Sequence, residues 1–330
     1  MKELKLDKKD LDILAELDLN SRNSINQIAK KLKLSKDGVN YRIKKLIDNK
    51  IITRFFIDID ISKLGLILNK VTFQFQNITK DKGEEIFNFL KEHPKVGWVV
   101  FCSGRWDALV VIYVKNLYEY ESVIKEINEK YGHFIHAKEF ISHPRYYVCS
   151  RKWLSKNPRP KISEIGGKKE VEKVDNVDIN IIKLLAENAR IPIIDIAAKT
   201  KISPSLVIRR IGNLEKKGII LNYRIGLNLP KLGKEFCKSF IYLQNITRRV
   251  EKEIIGYCLN HPKVTAVTTS IGAWELELEM EVKNFEEFFQ VMTEIKTKFK
   301  DYIKNYEAIV ITKEYGIDYG SILSEISPGI

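Results

Sequence analysis

Apolar residues recur every three or four positions in three short segments near the start of the chain, and each segment follows a residue that caps helices well. The candidate N-caps are Asp7, Ser24 and Ser35. A tight turn through Lys33-Leu34 would separate the second and third helices, so the pattern predicts a helix-turn-helix. The β-rich run at 51–57 follows and predicts either a wing or a linking strand.

The next part of the chain alternates between strand-like and helix-like periodicity. The predicted elements are Val71–Gln76, Asp81–His93, Val96–Ser103, Asp107–Val114, Leu117–Tyr131 and Ile135–Ser142. The order strand–helix–strand–strand–helix–strand is the ferredoxin-like βαββαβ arrangement. Its sheet carries helices on one face, so the other face needs a cover, which is usually a partner sheet.

The whole pattern occurs twice, with a constant offset of 168 residues. Residues 6–65 align with 174–233 without a gap, and the match continues through Gly104 and Trp106 against Gly272 and Trp274. The second set of sheet-domain elements is predicted at Phe236–Gln244, Arg249–Leu259, Val264–Ile271, Trp274–Val282, Phe285–Phe299 and Ile303–Thr312. This period is too long for a solenoid repeat, so the chain is predicted to hold a duplicated two-domain unit.

The predicted fold class is therefore α+β, with two tandem units, each a (winged) helix-turn-helix domain followed by a ferredoxin-like domain. The expected boundaries are 1–65 and 174–233 for the helix-turn-helix domains, 66–150 and 234–318 for the ferredoxin-like domains, 151–173 for a linker and 319–330 for a tail. The connector is basic and holds Pro158, Pro160, Gly166 and Gly167, which predicts an exposed linker.

The formal net charge of the 330 residues is +13, and its distribution is uneven. Positive charge is concentrated in 1–65, 151–173 and 174–233, whereas 66–150 is near neutral and 234–330 is net negative. If the whole surface were basic and solvated, the positive charge would not be concentrated in particular segments of the chain. Two basic domains joined to two non-basic domains indicate contact with a polyanion through the helical domains.

Several other classes of protein are disfavoured by the sequence. No run of 18 apolar residues and no apolar N-terminal segment occur, so we expect a soluble cytoplasmic protein. The four cysteines are far apart, which disfavours a zinc site or a disulfide framework. No Gly-rich phosphate loop or nucleophile elbow occurs, and the five histidines lack a metal-ligand pattern, so we predict no catalytic residue, no metal and no cofactor.

The third helix of the first unit is predicted to enter the major groove of double-stranded DNA. Its outer side would carry Lys36, Asp37, Asn40, Tyr41 and Lys44, where Asn pairs well with adenine and Lys reaches guanine or phosphate. Arg42 and Lys45 are the better candidates for phosphate contacts. In the second unit the candidates are Ser205, Arg209 and Arg210, because Ile208 and Gly212 replace Asn40 and Lys44. We therefore expect the first copy to read sequence, and the second mainly to grip the backbone or to have lost DNA contact. The alternative is a trihelical interaction module with a solvated basic face.

The chain resembles the Lrp/AsnC family, the feast/famine transcriptional regulators, whose second domain is called RAM. The resemblance rests on Leu34-Ser35, Tyr41-Arg42-Ile43, Ile51-Ile52, Lys63-Leu64-Gly65 and Gly104-Arg105-Trp106-Asp107, in this order and spacing. Each copy resembles one complete family member, although members usually carry one copy. The resemblance implies association through RAM domains, here within an internal pseudo-dimer or a homo-oligomer, and an amino-acid effector bound between RAM domains.

The effector residues implied by the resemblance lie in the turn between the second and third strands of each RAM domain. In the first copy they are Gly104, Trp106 and Asp107, and in the second they are Gly272, Trp274 and Glu275. An aspartate there could pair with an ammonium group. The alternative is that Gly104 only permits a tight turn, which Asp107 caps.

One strand of the second copy carries four alternating glutamates, Glu275, Glu277, Glu279 and Glu281, which project from one face. Because like charges repel, we expect that face to be solvated or matched by Lys and Arg, and binding of a divalent cation is a further hypothesis. The equivalent face of the first copy is largely apolar and is expected to serve assembly.

Two other functions remain open. Sirohaem decarboxylases resemble this fold and are expected to carry His-, Tyr- and Arg-rich strands around a tetrapyrrole pocket. The matching strands here, Val96–Ser103 and Val264–Ile271, are apolar and Thr-rich, which favours a regulator. The second alternative is a co-regulator that binds other family members without touching DNA, and the polar third helix disfavours it.

Overall fold

The computed structural model describes residues 6–156, 158, 160–316, 319–324 and 326. The helices are α1 (Lys8–Leu19), α2 (Ile25–Leu32), α3 (Lys36–Asp48), α4 (Lys80–Glu92), α5 (Leu117–Tyr131), α6 (Asn176–Glu187), α7 (Ile193–Thr200), α8 (Pro204–Lys216), α9 (Arg248–Asn260), α10 (Phe285–Lys298) and α11 (Gly320–Ser324). The strands are β1 (Ile52–Ile59), β2 (Ile67–Phe75), β3 (Val96–Gly104), β4 (Ala108–Val114), β5 (Ile135–Cys149), β6 (Ile162–Gly166), β7 (Ile220–Leu227), β8 (Glu235–Leu243), β9 (Val264–Ile271), β10 (Leu276–Val282) and β11 (Ile303–Tyr315). None of the described helices is long and apolar enough to cross a membrane.

The predicted helix caps of the first domain are confirmed. The side chains of Asp7, Ser24 and Ser35 each accept a hydrogen bond from a backbone N–H in the first turn of α1, α2 and α3. Lys33 ends α2 in the left-handed conformation, with φ of 55°, and its counterpart Lys201 has φ of 56°. The two copies therefore make the same tight turn between the two helices of the helix-turn-helix.

The segment after each helix-turn-helix is a linking strand. β1 pairs with β7 in an antiparallel two-stranded ribbon, which joins the two copies to each other. Of the two predictions for this segment, the linking strand is confirmed, because no strand of the same domain pairs with β1 among the described residues.

The two ferredoxin-like domains share one sheet. Its order is β2-β4-β3-β11-β8-β10-β9-β5-β6, and an additional β2–β5 pairing closes eight of these strands into a ring. The partner that each copy needs for its open face is therefore the other copy of the same chain. A single apolar cluster contains Leu109 and Trp106 of one copy together with Phe240 and Trp274 of the other.

The last strand of each copy is longer than its own sequence pattern predicts. β5 first pairs with β2 and then crosses to β9 of the second copy. β11 first pairs with β8 and then crosses to β3 of the first copy. The extensions beyond Ser142 and Thr312 are strands because the other copy supplies their hydrogen-bond partners.

Much of the connector packs on the fold, so the exposed linker predicted from its composition is wrong for these residues. Ile162–Gly166 adds an edge strand beside β5, and Lys152 and Leu154 are buried. Arg151 donates to Asp18 of α1 at 2.7 Å and to Glu281 of β10 at 2.9 Å. The connector thus ties the first helical domain to the second ferredoxin-like domain.

Candidate nucleic-acid interface and central cavity

The outer side of α3 is open to solvent. Lys36, Asp37, Asn40, Tyr41 and Lys44 are all exposed, and 68% of the surface of Tyr41 is accessible. Val39, Ile43 and Leu46 face the opposite way and are buried in the core of the first helical domain. Because the apolar residues of α3 lie on its buried side, the opposite side is a continuous polar surface. A helix that contacts the edges of bases needs such a surface.

The corresponding surface of α8 is less polar. Ser205 and Arg209 are exposed, but Ile208 is 60% exposed where the first copy has Asn40. Gly212 stands at the position of Lys44 and offers no side chain. The two copies thus place unequal chemistry on equivalent helices.

Arg42, which was predicted to contact phosphate, and its counterpart Arg210 have partners within their own domains. Arg42 donates to Asp10 at 2.6 Å and to Asp7 at 2.8 Å. Arg210 makes the equivalent pairs with Asp178 at 2.9 Å and Asp175 at 2.8 Å. These ion pairs hold the third helix of each domain against the start of its first helix, whereas Lys45 is half-buried and forms no ion pair within the described part of the chain.

The two helical domains are locked to each other by a reciprocal pair of arginines. Arg22 donates to the backbone carbonyls of Ala189 and Ile191 at 2.7 and 3.3 Å. Arg190, its counterpart, donates to the carbonyls of Ser21 and Asn23 at 2.5 and 3.1 Å. Because each guanidinium binds two carbonyls of the other domain, the orientation of α3 relative to α8 is set within one chain.

The turns predicted to meet an effector lie where the two copies cross. Gly104 has φ of 143°, and a Cβ there would lie 2.6 Å from the carbonyl oxygen of Ala308. Gly272 has φ of 149°, and its Cβ would lie 2.6 Å from the carbonyl oxygen of Phe140. Both positions need glycine for the close approach of the other copy.

The other residues of these turns are engaged in the fold. Trp106 and Trp274 are buried, with 1% and 0% of their surfaces accessible. The carboxylate of Asp107 accepts the backbone N–H of Phe75 at 2.6 Å, and that of Glu275 accepts the N–H of Leu243 at 2.7 Å. The effector role of these six residues stays a prediction.

The glutamates of β10 form ion pairs with lysine and arginine, which confirms the prediction that Lys and Arg match the charges of this face. Glu277 is fully buried, binds Lys70, and lies 2.8 Å from Lys238. Glu279 lies 3.0 Å from Lys238, and Glu281 binds Arg151. The prediction of a solvated face is wrong for Glu277. No group of metal-binding side chains of the kind that holds an ion occurs among the described residues.

The buried charges perturb one another strongly. Burial lowers the pKa of Lys70 to about 7, although Glu277 attracts its proton. Burial also opposes the charge of Lys238, but the attraction of Glu277 and Glu279 raises its pKa above the usual value. Burial and the nearby Lys70 lower the pKa of His143 to about 3, so this imidazole is neutral.

Lys70, His143, Lys238 and Glu279 line a cavity of about 720 Å³ between the β1–β7 ribbon and the shared sheet. Phe56 and Arg224 come from the ribbon, Lys70 and Trp98 from the first copy, and Glu279 from the second. The walls of the cavity therefore come from both linking strands and both sheet domains.

A family model described as winged helix-turn-helix DNA-binding matches residues 6–53 and 174–220, which are the two helical domains. An uncharacterized HTH-type transcriptional regulator of Pyrococcus abyssi is 32% identical over 122 residues, which are 36% of this chain and 80% of that relative. The HTH-type transcriptional regulator LrpA of Pyrococcus horikoshii is 38% identical over 79 residues, which are 24% of this chain and 53% of LrpA.

The chain belongs to the Lrp/AsnC family of DNA-binding transcriptional regulators. The regulator from Pyrococcus abyssi is about as long as one copy, since 80% of it matches little more than a third of this chain. This Lrp/AsnC chain therefore carries two family units in tandem.

The crystal structure of the siroheme decarboxylase NirDL resembles the whole chain. Its TM-score is 0.61 at 14% sequence identity, and the superposition covers 97% of this chain and 98% of that chain. At this identity the likeness shows the fold alone. The arrangement of four domains in one closed unit is thus not confined to this Lrp/AsnC chain.

No motif of the sequence predicted the central cavity. The sequence nevertheless contains a feature that could have predicted a buried charged site. Lys70 and Lys238 occupy equivalent positions in the two copies, and both lie in strands that are otherwise largely apolar. Two buried lysines at equivalent places require a counter-ion, and Glu277 is the residue that the structure supplies.

Proposed function

We propose that this Lrp/AsnC regulator reads its operator with α3 of the first copy, while α8 of the second mainly grips the DNA backbone. The observation that carries this proposal is the contrast between exposed Asn40 and Lys44 and their counterparts Ile208 and Gly212. At these two positions only the first helix offers polar side chains that can reach the edges of bases, and each good bidentate contact discriminates by about 1–3 kcal/mol.

The test removes these side chains one helix at a time. The operator is first selected from random DNA with the wild-type protein, and affinities for it and for a scrambled duplex are then compared by gel shift. The N40A/K44A variant should lose about tenfold or more of the preference for the operator. R209A should weaken binding to both duplexes about equally, because a phosphate contact carries no sequence information.

Lys300→Ala is the matched control, since Lys300 is an exposed lysine of the second ferredoxin-like domain. It should leave both affinities unchanged. Equal losses of operator preference in N40A/K44A and R209A would contradict the proposed division of labour. No retardation at low salt would instead favour a co-regulator, because phosphate binders bind most tightly at low ionic strength.

We also propose assembly and effector roles for the ferredoxin-like domains. The closed ring of strands supports association of the two copies within one chain, and further homo-oligomerisation is tested by light scattering over a range of concentrations. The effector proposal concerns Gly104, Trp106, Asp107, Gly272, Trp274 and Glu275. Calorimetric titration with each amino acid tests it, and absence of heat from all of them would reject it.

The second candidate is an enzyme similar to siroheme decarboxylases, which the full-length likeness to NirDL favours. The charge of the cavity opposes it, because sirohaem is a polycarboxylate and the lysines and Arg224 already bind protein carboxylates. Visible spectra after mixing with sirohaem decide between the candidates. A stoichiometric complex that loses carboxylates would replace the regulator with the enzyme.

A further inference from the structure

The two halves of the central cavity differ in chemistry. The half around Lys238 and Arg224 of the second copy is a network of ion pairs with residues of both copies. Lys238 binds Glu277 and Glu279, and Tyr146 donates to Glu279 at 3.3 Å. Arg224 lies 3.1 Å from Asp18 and 3.7 Å from Asp58. These cations have protein carboxylates as partners, so an anionic ligand would have to displace them.

The half around Trp98 and Tyr113, called the first-copy half, is aromatic and apolar, although Glu314 and Tyr319 at its wall come from the end of the second copy. Val111 and Tyr113 occupy the positions of Glu279 and Glu281, and the ring of Tyr319 stacks on that of Tyr113 at 6.3 Å. Trp98 completes this wall. Glu314 is the carboxylate of this half, and its Oε1 accepts the indole N–H of Trp98 at 2.9 Å.

Glu314 is solvent-accessible although protein surrounds it on most sides. Burial raises its pKa, and the nearby charge of Glu279 adds to this effect against the opposing attraction of Arg54 and Arg151. A cation bound at Glu314 would offset both the desolvation of this carboxylate and its repulsion by Glu279.

Carboxylates outnumber cations in this network. Among the described residues, the cations that line the cavity are Arg54, Lys70, Arg151, Arg224 and Lys238. The carboxylates that line the cavity or pair with these cations are Asp18, Asp58, Glu187, Glu277, Glu279, Glu281 and Glu314. The described part of the cavity therefore favours a guest of positive charge.

Aromatic rings in this cavity already hold protein cations. The guanidinium of Arg54 lies 4.6 Å from the ring centroid of Phe56, and the ammonium of Lys238 lies 5.2 Å from that of Trp98. Such contacts gain strength when the cation is desolvated. The remaining aromatic wall, formed by Tyr113 and Tyr319, offers the same chemistry to a guest.

We propose that the first-copy half of the central cavity binds a small organic cation, namely a protonated amine on an apolar or aromatic body, with Glu314 as its counter-ion. The aromatic wall contacts the body of the ligand, and Glu314 accepts hydrogen bonds from its ammonium. A zwitterionic amino acid fits less well, because its carboxylate would need a cation that is not already paired. The cavity lies under the β1–β7 ribbon, apart from the turns assigned above to an amino-acid effector.

The test titrates the full-length protein by calorimetry with four probes of similar size. They are 2-phenylethylammonium, 2-phenylethanol, 3-phenylpropanoate and L-phenylalanine. The amine should bind with a stoichiometry of one and about tenfold or more tighter than the neutral alcohol. No binding of the amine, or equal or tighter binding of any other probe, would overturn the proposal, whether or not the variants below fold.

Variants at position 314 locate the binding. E314Q should lose the preference for the amine over the alcohol, whereas E314D, which keeps the charge, should retain it. Glu286→Gln changes an exposed glutamate outside the cavity and should bind like the wild type. Unfolding curves confirm that each variant is folded. If folded E314Q keeps the preference for the amine over the alcohol, the amine binds elsewhere and the assignment is overturned. The affinity for DNA is measured separately and does not depend on either result.

Discussion

Glu277 in the second copy and Leu109 in the first occupy equivalent positions, and their surroundings differ sharply. Glu277 accepts hydrogen bonds from both equivalent lysines, Lys70 and Lys238, and from the indole N–H of Trp274 at 3.0 Å. Leu109 is equally buried, and the indole nitrogen of Trp106 beside it has no hydrogen-bond partner.

This difference shows what a fused chain permits. A homodimer would have the same residue at both positions, so its two buried lysines would face either two leucines or two glutamates. The first choice leaves the lysines without a counter-ion, and the second adds another buried charge. Duplication within one chain allows a single carboxylate to serve both lysines.

The largest expected effect comes from making the two copies alike. Glu277→Leu leaves Lys70 and Lys238 without their shared partner and should lower the free energy of unfolding by about 3–5 kcal/mol. Urea unfolding measures it. If E277L does not fold, E277Q, which keeps the shape, should show a smaller loss in the same direction.

The matched control replaces the whole triad. The variant K70M/K238M/E277L/E279Q removes all three charges together with that of Glu279, which would otherwise lose its partner Lys238. It should recover most of the stability lost in E277L, because a well-packed apolar cluster is often as stable as a buried ion pair. A midpoint for E277L equal to that of the wild type would show that the shared carboxylate contributes nothing.

The two buried tryptophans provide a second test of intermediate size. Trp274→Phe removes a hydrogen bond to buried Glu277, whereas Trp106→Phe removes an N–H that has no partner. Both variants lose similar volume, so W274F should be less stable than W106F by about 1–3 kcal/mol. Thermal and urea unfolding of the two single variants measure this difference, and equal stabilities would refute the asymmetry.

The smallest expected effect is a dependence on pH. The pKa of Lys70 is lowered to about 7 in the folded protein, from 10.5 as its usual value. Between pH 7 and 10.5, Lys70 carries a proton in the unfolded chain more often than in the folded protein. The free energy of unfolding therefore rises with pH through this group and decreases as the pH falls towards 7. Glu277, Lys238 and His143 face this amine.

The measurement compares wild type and K70M. From pH 7 to about 8.5 the wild type should gain about 1 kcal/mol more than K70M in the free energy of unfolding. The pH range ends below 9.0, the usual pKa of cysteine. Burial raises the pKa of Cys258, so above that pH this thiol makes the free energy of unfolding fall as the pH rises. Parallel pH profiles would show that Lys70 titrates normally.

The helical domains were predictable from the sequence almost residue by residue. Caps at Asp7, Ser24 and Ser35 and the exposure of Asn40 and Lys44 depend on neighbours within one or two helical turns. Local periodicity carries that information. The partners of Arg42 were not foreseen, since its ion pairs with Asp7 and Asp10 join two helices.

The sheet domains were predictable only as separate units. The order of strands and helices in each copy follows from its own periodicity, but the crossing of β5 and β11 between copies does not. The role of glycine at 104 and 272 also depends on the carbonyl of the other copy, which approaches from more than a hundred residues away.

By itself, the sequence determined the duplicated unit, the three-helix domains and the polar face of α3, because each depends on spacing along a single stretch of chain. Only the tertiary structure decided that the copies close one ring of strands, that Glu277 serves two lysines, and that a polar cavity lies between ribbon and sheet. Those features arise where distant segments meet, and the free energy of burying a charge depends on every group around it.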